Sequence, residues 1–183
     1  MAQNVGKVFE IDWRSSIPSY CFVQRLWDQP QAFTQRSDTR FSHKNICDYI
    51  FFDTRHQLLY LCELKTTKYR TVAFEDITVE NPVNKMIHKH QILGLYENAK
   101  YENVVPCFVL NFRTEEINAQ RTYFIHINDF VKMIKKLNKK SFDEIDLINN
   151  GAIKINGLKK RTRYAWDINE FLSKYSLNFC NDN

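Results

Sequence analysis

The sequence is short of the residues that loosen a chain: its 183 residues include only 4 Gly and 4 Pro. That scarcity argues against a long flexible linker or a disordered tail. Cysteine is sparse too, with 5 residues, an odd number, at positions 21, 47, 62, 107 and 180 and no CxxC pair. A zinc site or a disulfide framework has no support in that spacing. Cys21, Cys47, Cys62 and Cys107 lie instead in apolar, strand-like surroundings, where a free thiol behaves as a small buried hydrophobe. No apolar run approaches the ~20 residues needed to span a bilayer. The opening MAQNVGKVFEIDW lacks the basic region and apolar run of a signal peptide. The expectation is an intracellular protein with no membrane association.

What the chain does have is aromatic bulk: 14 Phe and 9 Tyr give one core large pieces to bury. The length suits a single domain over 1–183. The net charge of +5 favours an anionic partner without naming one. Its densest stretch, Lys132 to Arg163, adds Lys135, Lys136, Lys139, Lys140, Lys154, Lys159, Lys160 and Arg161, interrupted by Asp143, Glu144 and Asp146. Phosphate contact and a solvated face remain alternative readings of that segment.

The pattern predicts an opening helix over Asn4–Trp13, closed by Ile17-Pro18, then a strand over Tyr20–Trp27. Asp28 to Asn45 is polar, without helical period, and long for a connection within a compact domain, as functional loops often are; a surface insertion is the alternative. Cys47–Asp53 and Leu58–Thr66 are the strongest strands, joined by the turn Thr54 to Gln57. A helix follows over Asn84–Asn98, with Met86, Ile87, His90, Leu93 and Leu95 as its apolar stripe. Strands over Val104–Phe112 and Arg121–Ile127 come next, then helices over Asn128–Leu137, capped by Asn128-Asp129, over Ser141–Ile148 and over Trp166–Tyr175. Gly151 and Gly157 punctuate the last part. The order describes a mixed α/β sandwich.

One constellation carries chemistry. If Asp53 pairs with Leu58 across the turn, a regular ladder sets Asp48 opposite Glu63, with Lys65 on the same face two residues on. A slip of one residue would move Asp48 to the other side. Opposed carboxylates repel unless a cation lies between them, and Mg²⁺ takes one or two carboxylates with water and phosphate oxygens. A neighbouring ammonium polarises an attacking water or offsets charge building on phosphate. The alternative is a surface salt bridge of Lys65 with Glu63 or Asp48. The nearly continuous apolar runs around these residues, as in strands covered on both faces, argue for function.

These pieces resemble the PD-(D/E)XK nuclease superfamily, and within it the RecU-type Holliday junction resolvases. Asn4 to Glu10 (NVGKVFE) is similar to that family's opening helix, Cys47-Asp48-Tyr49 to its metal-binding Asp, Glu63-Leu64-Lys65 to its E-x-K, and His88 to Gln91 (HKHQ) to the motif in the following helix. Lys140 to Trp166 is similar to its C-terminal half. Cys47 stands where the superfamily's name has proline. The resemblance implies a restriction-endonuclease-like mixed central sheet flanked by helices, with a projecting stalk at 28–45. It implies that Asp48 and Glu63 bind Mg²⁺, with Mn²⁺ as a substitute. Lys65 would serve the attacking water, Glu10 would support water at the metal, and Gln91 would orient the site. The implied substrate is branched DNA, cut by a homodimer alongside recombination proteins, with Arg25, Arg36, Arg40, Lys44 and Lys68 as DNA contacts. The alternatives are a restriction or repair nuclease and a non-catalytic nucleic-acid-binding protein on the same scaffold.

Overall fold

The computed structural model describes residues 4–27, 45–113 and 120–181. Arg36, Arg40, Lys44 and, Asn45 aside, the whole of the expected stalk lie outside them. The chain opens with α1 (Val5–Ser16), whose N-cap Asn4 accepts the Lys7 N–H at 3.3 Å. It stops at Ile17, where the following proline disfavours helix. An antiparallel meander follows: β1 (Cys21–Arg25), β2 (Tyr49–Asp53) and β3 (Leu58–Thr67).

After β4 (Val72–Ala73), α2 (Lys89–Asn98) crosses over to β5 (Val104–Phe112), which runs parallel to β3. Then come β6 (Arg121–His126), α3 (Ile127–Lys136), β7 (Ser141–Phe142), α4 (Glu144–Asn149), β8 (Ile153–Ile155), β9 (Gly157–Lys159), β10 (Tyr164–Trp166) and α5 (Ile168–Asn181). Six strands form the central, mostly antiparallel sheet in the order β1-β2-β3-β5-β6-β8. The protein is thus mixed α/β, a sheet flanked by helices. Among the described residues no helix is long and apolar enough to cross a membrane.

Strand alternation divides the core into two layers. On one face Tyr49, Phe51, Tyr60, Cys62, Leu64, Cys107 and Phe124 pack against Phe9 and Trp13 of α1, Trp166 of β10, and Ile168, Phe171 and Leu172 of α5. On the other, Leu61, Phe108, Leu110 and Ile125 pack against Ile92 and Leu95 of α2, Phe130 and Ile134 of α3, and Leu147 of α4. The strands holding Asp48, Glu63 and Lys65 are therefore covered on both sides. Cys21, Cys47, Cys62 and Cys107 are buried, each a free thiol.

Several boundaries differ from the sequence expectation. Ile87 is not helical: it bridges Phe74, exchanging main-chain hydrogen bonds with Ala73 and Glu75, so α2 starts only at Lys89. The cap of α3 is His126, whose ring nitrogen accepts the Asn128 N–H, and not Asn128-Asp129. Ser141 and Phe142 pair with β4, so α4 begins after its cap Asp143. Trp166 belongs to a hairpin strand, not to the last helix.

Candidate active site

The turn joins β2 to β3 with Asp53 opposite Leu58. Asp53 is fully buried; its carboxylate accepts the Arg55 N–H and meets His56 Nδ1 at 2.6 Å, which fixes the turn and hence the register. The ladder runs regularly back to Tyr49 opposite Cys62. Beyond it the chain shifts. Asp48 N–H donates to Cys62 O at 3.0 Å, so Asp48 and Tyr49 both face Cys62, as in a β-bulge. The Asp48 carboxylate turns onto β3, where Oδ2 accepts the Leu64 N–H at 2.8 Å, a main-chain donor that β2 no longer reaches.

Cys62 and Leu64 enter the α1-side layer, so Glu63 and Lys65 project toward α2. Glu63 is 3% exposed. Its Oε1 receives Lys65 Nζ at 2.8 Å and Gln91 Nε2 at 2.5 Å. Gln91 lies in the first turn of α2, and its own Oε1 accepts the His88 N–H at 3.1 Å, so one side chain ties the helix start to the strand carboxylate. Burial, helped by the neighbouring Asp48 charge, pushes the Glu63 carboxyl up to about 7 against the opposing pull of Lys65 and Gln91. Two acids, an ammonium and an amide thus come together, with Glu63 and Gln91 buried and Asp48 and Lys65 half-buried.

Glu75 was missed by sequence reasoning, which had only an isolated acid 13 residues from its partner. Its carboxylate meets His88 Nδ1 at 2.9 Å and accepts the Lys89 N–H at 2.7 Å. Burial raises its pKa, but these hydrogen bonds outweigh burial and hold it below the ordinary glutamate value. His88 and His90 stack with ring centroids 5.4 Å apart.

The remaining residues singled out from the sequence fall elsewhere. Glu10 lies on the α1 side, paired with Arg25 Nη2 at 2.5 Å. Asp12, the neighbouring acid, has other partners, accepting from Arg163 Nε and the Tyr164 N–H. The Arg25 guanidinium stacks 4.4 Å over the Trp27 ring, and Lys68 lies 5.4 Å from the Tyr69 ring beyond β3. In the basic stretch, Lys132, Lys139 and Lys140 pair with Asp129, Asp146 and Asp76. Among the described residues no group of three or more His, Cys, Asp and Glu side chains is arranged to hold a metal ion.

The chain is similar along most of its length to a protein of Bacillus subtilis (strain 168), the SPbeta prophage-derived uncharacterized protein YotM. The two are 30% identical over 182 residues, covering 92% of this chain and 85% of YotM. The chain belongs to the YotM family. No protein-family model matches it. Within this YotM-family chain, the cluster at Glu63 sets a carboxylate disfavoured by burial beside a second acid and an ammonium.

Proposed function

We propose that the protein is a divalent-metal-dependent DNA endonuclease acting at Asp48, Glu63 and Lys65. The observation that carries the reading is the buried Glu63, its Oε1 shared by Lys65 and Gln91 and its ionisation opposed by burial and by Asp48. The order α1, the β1-β2-β3 meander, crossover α2 and β5 parallel to β3 supports a restriction-endonuclease-like core. Four-way junctions are the proposed substrate and a homodimer the proposed active form. Both follow from the RecU-type resemblance of the sequence, and a two-fold dimer suits a substrate cut on two opposed strands.

The donor set fits Mg²⁺ or Mn²⁺: two carboxylates suffice when water and phosphate oxygens complete the shell. Asp48 and Glu63 would hold the cation, which when bound polarises the scissile phosphate as a Lewis acid. Lys65, already 2.8 Å from Glu63, holds an ammonium where it steadies the attacking water or offsets charge developing on phosphate. Gln91 fixes the carboxylate rotamer through its amide, itself fixed by the His88 N–H.

The test is cleavage of four-way junctions, flaps and linear duplex with and without Mg²⁺. Wild-type protein is expected to cut junctions only with metal. Lys65→Ala is expected to lose about a hundredfold or more in rate while still binding junctions. Unchanged cleavage by that variant would overturn the assignment, and equal cutting of all three substrates would remove the junction preference.

A further inference from the structure

A second charged surface lies on the α1 side of the sheet, away from the Glu63–Lys65 pair. Lys7, Ile11 and Arg14 line one wall of a cavity of about 460 Å³, and Arg25, Trp27 and Tyr49 line the other; the Glu10 carboxylate also lines it, its charge offset by Arg25. The first three sit at i, i+4 and i+7, hence on one face of α1. Both cations of that wall are exposed and make no ion pair among the described residues. Lys132, Lys139, Lys140 and Lys174, by contrast, each have a carboxylate partner. Trp27 is 67% exposed, the indole carried on a rigid stem: Arg25 stacks on the ring, Glu10 pairs with Arg25, and the Leu26 N–H donates to Asp48 O at 2.8 Å. That last bond ties the tryptophan's neighbour directly to the candidate metal-binding acid.

We propose that this cleft binds an unpaired nucleotide of a DNA strand, its base stacked on Trp27 and its phosphates against Lys7 and Arg14. The choice of ligand rests on the nuclease reading. The chemistry is that of single-strand binding surfaces, where a cationic groove follows the backbone and an aromatic side chain offers a face to any base. Bases within a duplex are already stacked on each other and do not offer a face to the indole. The cleft therefore favours DNA that presents an unpaired strand, as at a branch.

The full-length protein in metal-free buffer provides the test, because binding is then read without cleavage. Of the 3 tryptophans, Trp13 and Trp166 are 1% and 4% exposed, so a change in quenching on adding DNA reports Trp27. A single-stranded oligonucleotide is expected to quench the emission, and a duplex of equal length much less. Trp27→Ala should weaken single-strand binding, measured by anisotropy of a labelled oligonucleotide, by roughly 5- to 100-fold, whereas Trp27→Phe should stay within about 3-fold. Lys7→Ala with Arg14→Ala should flatten the salt dependence. Wild-type affinity in Trp27→Ala, or equal quenching by duplex, would overturn the proposal. Quenching in a protein that cuts no DNA would leave the cleft standing and remove the nuclease reading. Cleavage without quenching would do the reverse.

Discussion

Glu63 is the residue on which stability and activity make opposite demands. Burial disfavours its charge and pushes the carboxyl up to about 7 from the ordinary 4.5. Between those values the unfolded chain has released a proton that the native state keeps. The native state therefore binds more protons, and stability falls as pH rises. The contribution is complete below about 4.5 and lost through about 7. Glu63→Gln, which imitates the protonated form, should remove this slope and leave the variant more stable than wild type at about pH 8, by about 3 kcal/mol. Urea unfolding at about pH 5 and about pH 8 checks it, and parallel pH profiles for the two proteins would contradict it. The same substitution should abolish cleavage. The sequence made Glu63 and Lys65 legible because a strand's alternation fixes which residues share a face. It did not make Glu75 or the Glu10–Arg25 pair legible, since both depend on contacts that no local period encodes.

At the scale of elements, the turn after β2 set the register, and the four turn residues were readable as such. The bulge at Asp48 was not, because it arises where β2 ends and the carboxylate takes over a main-chain donor. The start of α2 was misread for a related reason: Met86 and Ile87 continue a helical spacing, but Ile87 is drawn into a bridge with Phe74. Strands of two or three residues, such as β4 and β7, are too short to show any period. Helix α2 also carries Gly94 in its middle, where glycine costs about 1 kcal/mol relative to alanine. A Cβ there would come within 2.5 Å of Ile46 Cγ2, so the glycine lets the segment leading to Asp48 lie close on the helix. Ile46 is β-branched and yields little. Gly94→Ala should therefore destabilise by about 1–3 kcal/mol despite better helix propensity, and should displace the chain next to Asp48. Adding Ile46→Ala should recover part of the loss, a positive coupling measurable in a double-mutant cycle. Additive effects would rule the contact out.

At the scale of the whole molecule, the two core layers enclose a sheet in which the buried Glu63 feels the charge of the half-buried Asp48. A cation bound only by the folded form then raises stability by mass action. Mn²⁺ at about a hundred times its dissociation constant should add about 3 kcal/mol, an upward shift of roughly 5–10 °C in Tm for a chain of this size. Asp48→Asn and Glu63→Gln should each abolish the shift, and chelation should reverse it in wild type. An equal shift in those variants would mean that the ion binds elsewhere.

The first helix depends on a late part of the chain. Asp12 is buried against Arg163 and the Tyr164 main chain, Ser16 accepts the Trp166 N–H, and Phe9 meets the Trp166 ring edge-on at 5.2 Å. During synthesis the wall bearing Lys7 and Arg14 would have no seat until residues 163–166 left the ribosome. A nascent protein of this design would complete the cleft proposed to hold a DNA strand only once residue 166 had emerged, so that a copy terminated before that point would not compete for the same strand.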